Sequence, residues 1–442
     1  MYKISIERLR PSSPTNRWCI DYPRDTDLYN LARLTNEGVD FQGWALFPKD
    51  IKATPFIRIN KESHYFSFNM KRSDVVKKIL NEQPEGHGQL ECGFHFKLPL
   101  TADSLTFGFK TNGIDYDYAH FSVSGSLKVL EGDKGWLFLD NDANRSVDQY
   151  RGKRLLSAKE LKAWTAYLDS FYRLAVSKNI RHSLLIAPAK EMVLSEYYPF
   201  KRGRKTPIEQ LLKKTRAHHA LSYPVQAFKQ AEERPFRITD THWAPYGAML
   251  AAVEVLRKLG VDTEGARALF AQDQYKESTV IGDLGNKIYP PRSAIERVLA
   301  SFSYRKTVIY DNQLANFGRV MLLANSTALH PAKCVLFGSS SSYTMLDYFS
   351  RLFSEIVFIH SAGNIDLNLI EIEQPDYIVA QTNARFVVIA PILGYDLHTV
   401  IKAKLNELTD DEKQDAITKS AQWLQKTNTE RTEHYHRLMT QQ

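Results

Sequence analysis

The chain has 442 residues, a length that predicts roughly two or three domains, and its 43% hydrophobic content is enough to bury a core in each. The formal net charge of +8 favours anionic partners, but no recognised nucleic-acid-binding motif accompanies it, so we expect no nucleic acid partner. The three cysteines, Cys19, Cys92 and Cys334, are too few for a disulfide framework and lack the spacing of metal ligands. We therefore expect no metal site.

Export and membrane signals are absent from this sequence. Residues 1–8 lack the apolar core of a signal peptide, and no run of about eighteen apolar residues occurs. We expect a cytoplasmic protein, with peripheral membrane association left open. If an export signal was removed from the sequence, the protein would instead be periplasmic.

Residues 1–125 are predicted to form a small β-sandwich that serves as an accessory domain. Short alternating runs such as 56–59 and 93–98 recur between turn residues, and one short helix is expected at 73–80. No catalytic set of residues is visible here. Four aromatic residues either pack in the core or stack on the apolar faces of sugar rings, which would make the domain carbohydrate-binding: Trp44, Tyr65, Tyr116 and Tyr118.

Strands and helices alternate from residue 126 to residue 395, which predicts a mostly parallel sheet with helices on both faces. Ser157 and Glu160 form a capping box that begins a helix, and the apolar run 183–188 follows it as a strand. A βαβαβ pattern returns between residues 335 and 380.

Two further segments differ from this α/β pattern, and no chemistry is assigned to the second of them. Residues 261–331 read as a long irregular stretch. Residues 396–442 are predicted to be a polar helical tail, in which Thr409 and Glu412 form a second capping box.

Two basic segments lie between the first helix and the middle of the chain, at 201–205 and 213–216. The simpler interpretation is a solvated loop and helix face. The alternative is a contact surface for an anionic chain or for a phosphate-bearing donor.

An acid and a histidine two residues apart suggest a catalytic pair. Asp240 and His242 lie on a predicted loop before a helix that begins at Pro245 and ends at Gly260. A carboxylate bonded to one imidazole nitrogen fixes the tautomer and leaves the other nitrogen free as a base. Such a base needs a nucleophile.

A run of serines supplies that nucleophile. The turn Gly338-Ser339-Ser340-Ser341-Ser342 follows the apolar strand 334–337 and precedes a helix. A serine in this position has backbone N–H groups and a helix dipole beside its hydroxyl, and both favour a developing oxyanion. Together with Asp240 and His242 it predicts a Ser-His-Asp hydrolase-like site, although four serines can also form a plain polar turn.

The region from about 130 to 390 resembles the SGNH-hydrolase-like domain of the alginate O-acetyltransferases of the AlgJ and AlgX type. Five segments carry the resemblance: Gly135–Leu139, Ile186–Lys190, Asp240–Trp243, Gly338–Ser340 and Gln374–Val379. The resemblance implies an α/β, flavodoxin-like fold with a mostly parallel sheet. It does not include the N-terminal β domain.

The resemblance also implies site roles. Ser340 aligns with the family's nucleophile, His242 with its base and Asp240 with the residue that orients the base. The family has Gly-Asp-Ser at the turn, whereas this chain has Ser339 in place of Asp, so Ser339 and Ser341 stay open as nucleophiles.

Other residues are assigned around this triad. The predicted substrate-binding residues are Trp243, Asn144, Arg385 and Gly338, and Trp243 is equally well explained as a core residue. A second oxyanion donor is sought among Asn144, Asn383 and Arg385. Asp283 also looks family-like, and we expect it to be structural.

The sequence thus predicts an O-acetyltransferase that moves an acetyl group through acyl-Ser340 onto a hydroxyl of a bacterial surface or capsular polysaccharide. One alternative is a carbohydrate acetylesterase with the same triad, in which water takes the acyl group. The other is a glycan-binding scaffold with a degenerate site. No tightly bound cofactor is expected. The partners would be a polysaccharide or oligosaccharide acceptor and a donor, either acetyl-CoA or a membrane acyltransferase.

Overall fold

The structure, a computed structural model, describes residues 2–15, 17–29, 33–100, 102–126 and 128–440. The chain divides into two units. The first comprises Met1–Val129 and Gly285–Arg292, and the second comprises Leu130–Leu284 and Ser293–Gln442. The sequence contains no signal for the return of residues 285–292 to the first unit.

The strands are numbered in chain order. They are β1 Tyr2–Arg8, β2 Trp18–Tyr22, β3 Leu28–Tyr29, β4 Val39–Ala45, β5 Ala53–Ile59, β6 Glu62–Tyr65, β7 Gly93–Leu98, β8 Ser104–Thr111, β9 Ile114–Ser126, β10 Val129–Glu131, β11 Leu137–Leu139, β12 Arg181–Ala187, β13 Leu221–Ser222, β14 Tyr275–Val280, β15 Ile288–Tyr289, β16 Ala294–Leu299, β17 Val308–Asp311, β18 Val320–Ala324, β19 His330–Gly338, β20 Phe353–His360 and β21 Tyr377–Asn383.

The α-helices are numbered in the same way. They are α1 Ser73–Val75, α2 Ser146–Tyr150, α3 Ala158–Ser177, α4 Lys190–Val193, α5 Pro207–Lys214, α6 Val225–Lys229, α7 Pro245–Leu259, α8 Thr263–Phe270, α9 Ser342–Leu352, α10 Leu367–Glu373, α11 Leu397–Asn406, α12 Asp410–Lys426 and α13 Glu430–Thr440. No helix in the described part of the chain is long and apolar enough to cross a membrane.

The first unit is a sandwich of two antiparallel sheets, as predicted. One sheet has the order β3-β1-β9-β8-β5-β6, with β15 paired to β9, and the other has the order β2-β4-β7. Phe41 and Phe94 from the smaller sheet share one core with Phe107 and Phe121 from the larger sheet. Of the aromatic residues weighed for sugar stacking, Tyr118 is buried in this core, whereas Tyr65 is exposed.

The second unit is built on one twisted sheet with the order β13-β12-β21-β19-β20-β18-β17. The first five strands run parallel, and β18 and β17 are antiparallel additions at one edge. Alternate residues of β12 face opposite cores: Leu185 packs with α7 and α9, whereas Leu184 packs with α3 and the C-terminal helices. The predicted α/β layering is therefore confirmed.

The prediction of an irregular stretch at 261–331 is wrong. This segment contains α8, the hairpin of β14 and β16, and the antiparallel pair β17 and β18. Asp262 caps α8 by accepting from the backbone N–H groups of residues 264 and 265, a signal that the sequence did contain. The hairpin strands are exposed or half-buried apart from the buried Glu296, so their residues show no apolar alternation.

The C-terminal tail belongs to the core of the second unit. The buried carboxylate of Glu373 accepts from Arg431 Nη2 at 2.6 Å and from the Tyr435 hydroxyl at 2.7 Å. Tyr435 and Met439 pack in the same core as α3. The last helix is therefore held by a buried, charge-assisted contact as well as by apolar packing.

Removing residues 1–129 is expected to make the remaining chain poorly soluble. Ile288 and Tyr289 are almost fully buried in the first unit, and each would lose roughly 1.5–3 kcal/mol of favourable burial. The same truncation carrying Ile288→Ser and Tyr289→Ser should be more soluble and should bind less of a hydrophobic dye. Equal solubility of the two truncated proteins would contradict this expectation.

Candidate active site

Two members of the predicted triad line one cavity in the second unit, where the empty space, open solvent included, is about 600 Å³. His242 and Ser340 both face this cavity, and Asp240 bonds to His242. The cavity lies where β12, β19 and β21 end, because parallel strands bring their carboxyl ends to one edge of a sheet. The fold therefore gathers segments that are far apart in the sequence.

Asp240 and His242 form a tight pair. Asp240 Oδ1 accepts from His242 Nδ1 at 2.6 Å and from the backbone N–H of the same residue at 2.8 Å. Burial opposes charge on the Asp240 carboxyl, but the bonds and the charge of His242 outweigh it and hold the pKa of Asp240 below its usual range. With Nδ1 donating to the carboxylate, Nε2 is left as the basic nitrogen.

Asp283 braces the loop that carries this pair, in line with the structural role expected for it. Its carboxylate accepts from the backbone N–H of Thr241 at 2.6 Å and from the Thr241 hydroxyl at 2.5 Å. Its own N–H donates to Asp240 Oδ2 at 3.3 Å. Asp240, His242 and Asp283 are close enough together to hold a cation. Their oxygens, however, already accept from N–H and O–H donors, as in a hydrogen-bonded loop.

The side chain of Lys190 also holds the loop that carries Asp240 and His242. Its buried ammonium lies within hydrogen-bond distance of four backbone carbonyls, those of residues 137, 237, 238 and 240, at 2.7–2.9 Å. It also lies 4.9 Å from the centre of the Trp136 ring. Burial lowers the pKa of Lys190 from 10.5 to about 7. One side chain thus joins three of the sequence segments that resemble the family, although the sequence suggested no role for it.

The serine turn is fixed by Gln381. The Gln381 Oε1 atom accepts from Ser339 N and Ser339 Oγ at 2.8 Å and from Ser342 Oγ at 2.9 Å. The Ser341 hydroxyl donates to Asn383 Oδ1 at 3.1 Å. Within the described part of the chain, the Ser340 hydroxyl alone among the four has no hydrogen-bond partner, and it faces the cavity.

Trp243 and Gly338 support this geometry. Trp243 lines the cavity but is buried, and its Nε1 donates to the Ser341 carbonyl at 2.8 Å, so it ties the histidine loop to the serine turn. Gly338 does not line the cavity. A Cβ atom there would lie 2.2 Å from Ser342 Oγ, so glycine is needed for close packing.

The remaining candidates divide into two groups. Arg385 and Asn383 line the cavity with Ser340. Asn144 does not; it lines a separate cavity of about 620 Å³, and its side-chain amide donates to Asp142. Arg385 donates to the same Asp142 carboxylate at 3.1 Å.

One family model matches the part of the chain that contains these residues. Residues 129–347 match the family model described as SGNH hydrolase-like domain, acetyltransferase AlgX. The match includes Asp240, His242 and Ser340 and ends before Gln381 and Asn383. No curated protein sequence matches the chain.

Several solved structures are similar at a low level. Bacillus cereus PatB1 has 13% identity and a TM-score of 0.44 over 62% of this chain and 99% of its own. The O-acetyltransferase domain of Pseudomonas putida AlgJ has 17% identity and a TM-score of 0.36 over 63% and 99%. Pseudomonas aeruginosa AlgX has 15% identity and a TM-score of 0.32 over 58% and 61%. With TM-scores below 0.5, these likenesses carry no argument about function.

Replacing Lys190 by Met is expected to lower the free energy of unfolding at pH 6 by about 2–4 kcal/mol, since buried carbonyls lose their donor. The difference in free energy of unfolding between the wild type and Lys190→Met should become larger between pH 7 and pH 10. In that range the unfolded chain keeps a proton on Lys190 that the folded chain has released, so the wild-type free energy of unfolding rises with pH. Urea unfolding at pH 6, 7 and 9 measures both effects.

The exposed Lys214 gives a matched control, because Lys214→Met should leave both the stability and its pH dependence nearly unchanged. The role assigned to Lys190 would be contradicted if the difference in free energy of unfolding between the wild type and Lys190→Met became smaller between pH 7 and pH 9.

Proposed function

We propose that this protein is a polysaccharide O-acetyltransferase that works through an acyl-Ser340 intermediate. Residues 129–347 match the family model described as SGNH hydrolase-like domain, acetyltransferase AlgX, which supports this proposal. The acceptor would be a hydroxyl of a bacterial surface or capsular polysaccharide. The assignment of Ser340 as the nucleophile is supported by the hydrogen-bond partners of the four serine hydroxyls in this turn. Three hydroxyls are committed to Gln381 or Asn383, and the fourth, on Ser340, shares a cavity with His242.

In the first half-reaction, His242 Nε2 takes the proton of the Ser340 hydroxyl while Oγ attacks the carbonyl carbon of the acetyl donor. The tetrahedral intermediate collapses, the bond to the leaving group breaks, and the leaving group takes the proton from His242. Asp240 stabilises the imidazolium formed between these steps, and its own pKa is low enough to keep it ionised. The product is acetyl-Ser340.

In the second half-reaction, a sugar hydroxyl gives its proton to His242 and attacks acetyl-Ser340. The ester bond to the sugar forms, the bond to Ser340 Oγ breaks, and the proton returns to Ser340. Water in place of the sugar would make the same residues an acetylesterase. The acceptor that reaches the acyl-enzyme therefore decides between the two activities.

We assign the oxyanion donors to the backbone N–H of Ser340 and to the side-chain amide of Asn383. Asn383 Oδ1 accepts from the Ser341 hydroxyl at 3.1 Å and from Gln381 Nε2 at 3.3 Å, which fixes the orientation of the amide. Its Nδ2 group then has no protein acceptor among the described residues, and Asn383 lines the cavity. Donors held in place before reaction stabilise the charge at little reorganisation cost.

The donor and the cellular location remain predictions from the sequence. Acetyl-CoA and a membrane acyltransferase are the two candidate donors, and no cofactor is expected to be bound tightly. Cytoplasmic location, with or without peripheral membrane contact, is likewise an expectation.

Ser340→Ala should lower turnover of p-nitrophenyl acetate by a factor on the order of 10⁴ to 10⁶ and abolish the acetyl adduct seen by intact-protein mass spectrometry. Ser339→Ala should keep most activity, because Gln381 Oε1 retains two of its three donors. Ser341→Ala should lose up to about tenfold, since it frees the Asn383 amide. If Ser340→Ala is active while Ser339→Ala or Ser341→Ala is inactive, the nucleophile is the serine whose replacement abolishes activity.

Asn383→Leu should lower kcat by about 10² to 10³ with little change in KM, because an oxyanion donor acts in the transition state. Steady-state kinetics with p-nitrophenyl acetate measure the split. Asn144→Leu is the matched comparison and should keep its activity, since Asn144 lies outside the cavity. A rise in KM alone for Asn383→Leu would point to substrate binding instead.

A further inference from the structure

A second cavity of about 280 Å³ adjoins the one that holds Ser340, and both lie in the second unit. The two share five lining residues: Ser146, Ala189, Glu191, Ala384 and Arg385. The second cavity continues past them to Gln149 and Thr206. Glu191 and Arg385 therefore lie where the two cavities meet.

Among the residues that the structure describes, Glu191 alone places a carboxyl group in the lining of either cavity. The other acids near this site are engaged: Asp240 bonds to His242, and Asp142 bonds to Arg385. The carboxylate of Glu191, in contrast, accepts only from its own backbone N–H and makes no hydrogen bond or ion pair with the side chain of another described residue. Burial raises the pKa of Glu191. A carboxyl group at such a place needs hydrogen-bond donors from a ligand or from water.

Arg385 supplies the complementary group at the same junction. Its Nη1 donates to Asp142, which holds the guanidinium, while Nε and Nη2 donate to no acceptor in the described part of the chain. A carboxylate that accepts and a guanidinium that donates, side by side, match a molecule whose hydroxyls do both. Neighbouring hydroxyls of a sugar ring are such a pair, because one diol can donate to both oxygens of a carboxylate.

We propose that Glu191 is the specificity-determining residue for the acceptor and binds neighbouring hydroxyls of a sugar ring beside acetyl-Ser340. The inference rests on the proposed acyl-Ser340 mechanism. Glu191 accepts hydrogen bonds from the diol, and Arg385 donates to its oxygens. The acetyl group is thereby transferred to the bound sugar hydroxyl in preference to water.

The test measures how acetyl-Ser340 partitions between alcohols and water. The enzyme is loaded with p-nitrophenyl acetate in the presence of trans-1,2-cyclohexanediol or of cyclohexanol, and the acetylated alcohol and free acetate are quantified. The wild type should transfer to the diol at least about tenfold better than to cyclohexanol, after correction for the number of hydroxyls. Glu191→Gln should lose most of this preference.

Glu196→Gln is the matched control, because Glu196 is exposed, lies five positions further along the chain and lines neither cavity. It should keep the wild-type preference. An equal diol preference in wild type and Glu191→Gln, or no preference in the wild type, would overturn the assignment of Glu191. If no acetyl-Ser340 forms at all, the proposed mechanism fails first and this inference fails with it.

Discussion

The buried ammonium of Lys190 is the contact on which the site depends. It sits under the loop that carries Asp240 and His242 and lies within bonding distance of carbonyls from both that loop and β11. A hydrogen-bond donor buried at this place, charged or neutral, needs carbonyl oxygens that converge on it, so the loop has few other conformations available. Above this loop, Asp283 fixes Thr241, and Trp243 reaches across to the serine turn. The proposed base and the proposed nucleophile are therefore held in place by side chains to which no chemical step is assigned.

Local signals in the sequence predicted much of this molecule. The capping boxes at Ser157 and Thr409 and the helix from Pro245 to Gly260 are all present, because these rules act over a few neighbouring residues. The pair of Asp240 and His242 could be recognised in the sequence for the same reason. Alternation of strand and helix gave the layered fold of the second unit. The hairpin of β14 and β16 was not predicted, because strands without a buried face show no regular alternation of apolar residues.

The residues that the sequence did not reveal act through tertiary contacts. Gln381 is an ordinary residue of a buried strand until β21 is placed beside β19, where its amide oxygen collects three donors from the serine turn. Ser339 looked like a departure from the Gly-Asp-Ser pattern. In the fold its hydroxyl donates to Gln381, whereas an aspartate would set a carboxylate against the same oxygen. The serine and the glutamine therefore form a matched pair, which is visible only when both are seen together.

The short strand β15 has a consequence for how the protein is made. It lies beside the end of β9, where Gly125 pairs with Tyr2 on one side and with Tyr289 on the other. During synthesis on the ribosome, the first unit lacks this strand until about half of the second unit, Leu130–Leu284, has emerged. The second unit in turn still lacks β19, β20 and β21. Neither unit can complete its sheet early, so the nascent chain exposes unpaired strand edges for longer than two consecutive domains would.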